Sequence, residues 1–168
     1  MSEIELRRLE LRDLNAIEEI ERSSYPTPWS RSMFASELAK PSSLCLGAFD
    51  GETPRLVGYL IISRYVDAWH VMNVAVAPSH RRQGIASLLL NRLFEVTGGR
   101  SRRGYTLEVR VSNEGAIKLY EELGFCPRGV RRGYYTDNRE DALIMWKDPP
   151  ALTDAEPERS GQGATGSR

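Results

Sequence analysis

The chain has 168 residues, 40% apolar and 27% charged, with 23 Lys and Arg balanced by 23 Asp and Glu. That length suits one domain with a core large enough to need no staple, and zero net charge argues against a strongly basic nucleic-acid binder. The longest apolar run, Val57 to Ile62, is far too short to span a bilayer.

Ile4 to Leu9 alternates like a first strand. Asp13 is placed to cap a helix with Leu14, Ile17 and Ile20 at helical spacing, and Glu18, Glu19 and Glu21 read as its solvated face. Tyr25-Pro26-Thr27-Pro28-Trp29 breaks that helix. Ser30 caps a second one carrying Met33, Phe34 and Leu38, which stops before Pro41. Three strands are predicted next, Ser43 to Asp50, Arg55 to Val66 and Ala68 to Val76, with a turn at Asp50-Gly51 that suits a hairpin. Gly84 to Thr97 reads as a helix with Ile85, Leu88, Leu89, Leu93 and Val96 on one stripe, ended by Gly98-Gly99. Tyr105 to Val111 is a strand with Leu107, Val109 and Val111 on one face and Glu108 and Arg110 on the other. Ser112-Asn113 opens a helix holding Ala116, Leu119, Tyr120 and Leu123, with Gly124 past its end. Phe125 to Tyr135 and Ala142 to Lys147 complete the strands. Single helices between strands, and tight turns in the middle, predict an α/β fold: a mixed sheet with helices on its faces.

Composition shifts at Pro149-Pro150. Residues 1–148 are therefore read as the domain. Residues 149–168, with almost no large apolar side chain, are read as a disordered tail. Met1-Ser2-Glu3-Ile4-Glu5 has no signal-peptide character. Cys45 and Cys126 form neither a metal spacing nor a disulfide framework, and both read as small buried residues of a cytoplasmic chain. His70 and His80 lack partners at metal-ligand spacing, so no metal is expected.

Two clusters carry chemistry. The first runs from strand through basic loop into helix, Val74-Ala75-Val76-Ala77-Pro78-Ser79-His80-Arg81-Arg82-Gln83-Gly84-Ile85-Ala86-Ser87. A helix N-terminus offers unpaired N–H groups and partial positive charge, and a phosphate reaches them only where side chains are small. Gly84 and Ala86 permit that approach, while Arg81 and Arg82 add charge. No P-loop and no dinucleotide fingerprint is present. The second cluster, Leu107-Glu108-Val109-Arg110-Val111-Ser112-Asn113, leads into a helix with Ala116-Ile117-Lys118-Leu119-Tyr120-Glu121-Glu122-Leu123-Gly124-Phe125. By spacing alone, Glu108 also reads as an exposed strand residue paired to Arg110 or a neighbour, and Tyr120 as a plain core aromatic.

Arg81-Arg82-Gln83-Gly84-Ile85-Ala86 resembles the Q/R-x-x-G-x-G/A motif of the GNAT acyltransferases. The second cluster, Arg131-Arg132-Gly133-Tyr134-Tyr135, Glu140-Asp141-Ala142-Leu143-Ile144-Met145 and Pro28-Trp29-Ser30 narrow the resemblance to the RimI subfamily, over roughly residues 3 to 147. The resemblance implies a sheet of about seven strands in which the fourth and fifth splay apart. It implies acetyl-CoA as co-substrate, its pyrophosphate on Arg82, Gln83, Gly84, Ile85, Ala86 and Ser87, its pantetheine arm along Val74, Ala75 and Val76, and a contact from Asn113. Glu108 is then the general base and Tyr120 the acid, with a backbone N–H near Val76 for the oxyanion. The implied substrate is a protein N-terminal α-amine, foremost the N-terminal alanine of ribosomal small-subunit protein S18. The chain is expected to be a monomer without nucleic-acid or membrane partners. Transfer to a small-molecule amine and a non-catalytic CoA-binding module are the alternatives. Tyr134 and Tyr135 either cover the sheet or wall a peptide channel, and Trp29 reads as a packing anchor.

Overall fold

A computed structural model describes residues 3–51, 54–98 and 103–149. The proposed tail beyond Pro149 lies outside the described residues.

Seven strands form one sheet: β1 (Ile4–Arg8), β2 (Ser43–Asp50), β3 (Arg55–Tyr65), β4 (Ala68–Val76), β5 (Tyr105–Arg110), β6 (Cys126–Arg131) and β7 (Ala142–Lys147). Their order is β1-β2-β3-β4-β5-β7-β6, and among the described residues only the β4–β5 pair is parallel. Four helices cover it: α1 (Leu14–Ser24), α2 (Arg31–Ala39), α3 (Ile85–Thr97) and α4 (Glu114–Glu122). The apolar core divides by face. Leu14, Ile17, Ile20 and Phe34 of α1 and α2 pack on Cys45, Tyr59 and Ile61, while Ile85, Leu89 and Leu93 of α3 and Tyr120 of α4 pack on Val57, Leu60 and Leu107. Helices thus lie on both faces, as the alternating pattern predicts.

Several local readings are corrected. Asp13 stands at the N-cap position of α1, but its side chain makes no capping bond to that helix. Its carboxylate accepts from Glu10 N at 2.7 Å and pairs with Arg7 at 3.1 Å, so it caps the preceding 3₁₀ turn Leu11–Asp13. In α3 the buried stripe holds Leu90 and Thr97, while Leu88 and Val96 are exposed. Cys45 is buried but Cys126, opening an outer strand, is exposed. Tyr134 and Tyr135 lie beyond β6, in the irregular connection to β7. Ser30 does cap α2, accepting from Met33 N at 3.3 Å.

The largest departure is at Glu21. It is not on a solvated face: only 2% of the residue is exposed. A carboxylate buried that deeply must have donors around it. Glu21 Oε1 accepts from Asn73 Nδ2 at 2.9 Å and from the Tyr59 hydroxyl, and Oε2 accepts from Trp29 N at 2.9 Å. One side chain of α1 therefore ties together β3, β4 and the turn into α2.

Asn73 reaches Glu21 because β4 carries a bulge. Val71 pairs with Ile62 and Asn73 with Ile61, so Met72 is an extra residue without a partner on β3. The added residue reverses the alternation of faces. Val71 packs with the α3–α4 side, whereas Asn73 and Ala75 turn to the α1–α2 side.

Glu21→Ala should leave three donors without an acceptor, those of Tyr59 and Asn73 buried and that of Trp29 partly so. At about 1–3 kcal/mol for each unsatisfied group, a loss of about 3 kcal/mol or more is expected, lowering Tm by roughly 6–12 °C. Glu21→Gln keeps one acceptor oxygen and should lose less. Urea and thermal melts of the two variants check both statements.

Candidate active site

β4 and β5 pair only at Trp69–Tyr105 and His70–Thr106. Beyond that point β4 runs six residues further, to Val76, with no strand paired on its β5 side among the described residues. The two strands part, and the sheet is open between them. The opening is the floor of a cleft of about 560 Å³, lined among others by His70, Met72, Val74, Glu108, Asn113 and Tyr120. The α1–α2 connection supplies Tyr25 and Trp29 to its walls, and the β6–β7 connection supplies Tyr134 and Tyr135.

The two side chains expected to do proton chemistry reach this opening from opposite faces. Leu107 and Val109 point into the α3–α4 core, so Glu108 between them points to the α1–α2 side. Tyr120 belongs to α4 and packs edge-on against Phe125, 5.9 Å between ring centres. Tyr120 is therefore both the core aromatic and the cleft-lining group that its spacing left open.

Burial would raise the pKa of both groups, but their neighbours differ. For Glu108 burial alone would raise the pKa, but the hydrogen bond and charge of His70 and the charge of Arg131 outweigh it and hold the carboxyl below its ordinary value. His70 Nε2 lies 2.7 Å from Oε1 and Arg131 Nε 3.6 Å from Oε2. For Tyr120 burial, with Tyr135 nearby, pushes the phenol up to about 12. At neutral pH the carboxylate is ionised and the phenol protonated. Of the alternative pairings open to Glu108, the one with Arg110 does not occur, and its partners are His70 and Arg131. Arg110 turns to Asp137 at 2.9 Å and Glu140 at 3.2 Å and stacks 4.0 Å over the Tyr135 ring, fixing the β6–β7 connection against β5.

The anion-binding loop forms the entry to α3. Arg82 and Gly84 both have left-handed backbone, at φ 64° and 79°. The first helical bond runs from Leu88 N to Gly84 O at 2.9 Å, which leaves earlier N–H groups for another acceptor. A Cβ at Gly84 would meet nothing within 4 Å, so the space before these N–H groups is open. Such a concave turn fits a phosphate group. Arg82, Gln83, Gly84, Ile85, Ala86 and Ser87 lie together there, outside the cleft lining. Asn113 caps α4, accepting from Ala116 N at 3.2 Å, and also lines the cleft.

Ala77 N bonds to Val57 O, so alternation turns the N–H and C=O of Val74 and Val76 away from β3, toward the opening. Those two carbonyls accept from the Tyr25 hydroxyl and, at 2.9 Å, from Arg81 Nε. Ala75 between them is buried against α1 and α2 and does not face the opening. Sequence reasoning missed His70, Glu21 and Tyr25. The first two depend on a parallel register and a bulge that have no local signature. Tyr25 does carry a signal, in the Tyr-Pro-Thr-Pro-Trp turn that fixes where its ring goes. Among the described residues, no group of His, Cys, Asp and Glu is arranged to hold a metal ion, and no helix is long and apolar enough to cross a membrane.

The depressed carboxyl of Glu108 makes stability depend on pH. Its folded pKa lies below the unfolded value of about 4.5, so its contribution is present above that pH and is lost as pH falls through the folded value. The stability difference between the wild type and Glu108→Gln should therefore change as pH drops below about 4.5, the wild type losing its advantage. Urea melts of both proteins from pH 7 to pH 3 measure it, and a difference that stays flat across that range would contradict the pairing.

Residues 14–125 match the Acetyltransferase (GNAT) family. The [ribosomal protein bS18]-alanine N-acetyltransferase of Escherichia coli strain K12 is 38% identical over 139 residues, 82% of this chain and 92% of that one. The N-alpha-acetyltransferase RimI of Mycobacterium tuberculosis is 37% identical over 126 residues, 72% of this chain and 76% of that one. The crystal structure of the ribosomal-protein-S18-alanine N-acetyltransferase from Escherichia coli superposes with a TM-score of 0.78 and 36% identity, covering 87% of this chain and 94% of that one. An open seam between β4 and β5, a phosphate-sized cradle at α3 and these likenesses agree: the chain belongs to the GNAT family of acetyltransferases, among its RimI-like members.

Proposed function

We propose that the cleft transfers the acetyl group of acetyl-CoA to the N-terminal α-amine of a protein, foremost the N-terminal alanine of ribosomal small-subunit protein S18. The observation that carries this reading is the opening between β4 and β5, with an ionised carboxylate on one face and a protonated phenol on the other. Such an opening lets two reactants meet from opposite sides of a sheet. A closed pocket on one face would suit a small amine better; a cleft of about 560 Å³ walled by the α1–α2 and β6–β7 connections favours a chain terminus.

Acetyl-CoA supplies a thioester whose acetyl carbon is open to attack and whose thiolate departs. The N–H groups at Arg82 to Ser87 would hold its pyrophosphate, and Asn113 has its amide nitrogen left for the same ligand. The N–H groups of Val74 and Val76 would pair with pantetheine amides as an added strand does, with Ala75 supporting them from the core. Glu108 receives the proton that the amine must lose. Only about 10–20% of such an amine is free base at pH 7. Tyr120 gives a hydrogen bond, and then a proton, to the sulfur. A backbone N–H near Val76 is free to meet the developing oxyanion. This reading also places the reaction in the cytoplasm, with the chain acting as a monomer and making no direct nucleic-acid contact.

A panel of N-terminal peptides incubated with acetyl-CoA and read by mass spectrometry tests the substrate. Acetyl on the α-amine, fastest with a first-residue alanine, is expected. Acetyl found only on lysine side chains or on polyamines would favour the small-amine alternative.

Gly84→Glu puts a carboxylate into the phosphate space; no atom lies within 4 Å of the added Cβ, though the left-handed backbone there strains any side chain. Calorimetric affinity for CoA should fall by at least about tenfold while the fold survives, since one like charge at close range exceeds about 1.4 kcal/mol in a partly buried site. Unchanged affinity would remove the loop from the site. Tyr120→Phe should lower single-turnover rates by about 10- to 10³-fold, with CoA affinity and Tm nearly constant. A thioester with a more acidic thiol should restore part of that rate in the variant and little in the wild type. Equal gains in both would mean that another group protonates the sulfur.

A further inference from the structure

His70 lines the cleft, and the acid and base assigned above leave it without a task. It stands at the last β4–β5 pairing, opposite Thr106. Glu108 lies two residues further along β5, on the face that Thr106 presents, so imidazole and carboxylate are diagonal neighbours at the point where the strands part. His70 Nε2 sits 2.7 Å from Glu108 Oε1. An ionised carboxylate can only accept a hydrogen bond, so Nε2 carries a hydrogen and Nδ1 is the ring nitrogen left to exchange a proton. No group among the described residues bonds to Nδ1. The His70 side chain is 32% exposed and that of Glu108 11%, so the ring has the better access to water.

Intrinsic proton affinities favour the ring as well. Ordinary values are about 7.7–8.0 for an α-ammonium, about 6.5 for imidazole and about 4.3 for a glutamic acid. Passing a proton from the amine to an imidazole is thus about a hundredfold less unfavourable than passing it to a carboxylate. The other charged groups around the pair are Arg110 on β5, Arg131 on β6 and Asp137 on the β6–β7 connection, with Glu21 across the cleft. The phenols facing it are Tyr25, Tyr134 and Tyr135. Arg131 engages the far oxygen of Glu108, Arg110 is held by Asp137, and Glu21 is saturated by its three donors. Among the described residues, Glu108 is the acid in ion-pair contact with His70.

We infer that the base of this cleft is the His70–Glu108 pair, in which the amine's proton comes to rest on His70 Nδ1 while Glu108 stays ionised and orients the ring. One N–H bond of the amine breaks and one N–H bond forms on the imidazole. The Nε2–H bond to Oε1 stays intact, and the new proton leaves to water from the exposed edge of the ring. The inference rests on the acyl-transfer reading above and refines its base.

The test compares His70→Gln, Glu108→Gln and the double variant in single-turnover acetylation of an alanine-first peptide. Gln at position 70 keeps an N–H donor for Glu108 and loses the ionisable nitrogen; His70→Asn serves as a second probe should the first not fold. At pH 7 the rate in His70→Gln should fall by about 10²-fold or more, within the usual range for a lost general base. CoA affinity should hold, much of the rate should return at pH 9 where the amine is already free base, and the double variant should be no slower than the slower single. A wild-type rate in His70→Gln beside a crippled Glu108→Gln would overturn the inference and leave Glu108 as sole base. An equal loss at pH 7 and pH 9 would overturn it too, marking the ring as a prop. Wild-type rates in both single variants would sink the Glu108 reading together with it.

Discussion

Met72 is one residue too many for the register of β4 on β3, and the cleft follows from it. A bulge turns the residues beyond it to the opposite face and bends the strand that bears it. Asn73 is thereby delivered to Glu21, and β4 keeps company with β3 while leaving β5 after two pairings. The buried carboxylate makes this arrangement hard to undo. Glu21 is satisfied only when Tyr59 of β3, Asn73 of β4 and the Trp29 backbone are all in place. Slipping β4 back into regular register would leave a buried carboxyl group short of partners, at about 1–3 kcal/mol for each group left unsatisfied. The opening is thus held by a polar lock, and burial enforces the lock.

An opening through a sheet solves a problem of access. Acyl transfer needs an amine stripped of its proton and a thiolate given one, and water competes for both. Here the group that takes the proton and the group that gives it stand on opposite faces, separated by the thickness of one sheet. Their environments differ in the direction the chemistry requires. The partners of Glu108 keep it ionised in spite of burial, while nothing comparable relieves Tyr120, whose phenol stays protonated. The edge of β4 between them carries free N–H groups, and its carbonyls are already held by Tyr25 and Arg81. Tyr25 comes from the α1–α2 turn and Arg81 from the phosphate loop, so the strand edge joins the two ends of the site.

Strand and helix positions were legible in the sequence because alternation and helical spacing are local. Ser43–Asp50 and Ala68–Val76 fall where alternation puts them, and Ser30 and Asn113 cap as their side chains dictate. What was illegible is what depends on contacts between distant segments. Glu21 sits beside Glu18 and Glu19 in a polar stretch, and only the fold turns it inward. Asp13 looked like a helix cap, but Glu10 and Arg7 hold its carboxylate a turn earlier. Leu88 and Leu90 are equally apolar, and the rotation of α3 on the sheet decides which is buried. Glu108 and Tyr120 were singled out through family resemblance, whereas His70 beside Glu108 requires a parallel register between strands separated by a whole helix.

Acyl transfer in this cleft requires two reactants to meet through the sheet. The most direct measurement is a crystal structure with a conjugate of CoA joined through an acetyl bridge to the α-amine of an alanine-first peptide. The account predicts the pantetheine arm between β4 and β5 with Tyr120 at the sulfur, the pyrophosphate at Gly84, and the peptide leaving on the Glu108 side between Tyr25 and Tyr134. A conjugate lying wholly on one face of the sheet, or a peptide running away from Glu108 and His70, would contradict it.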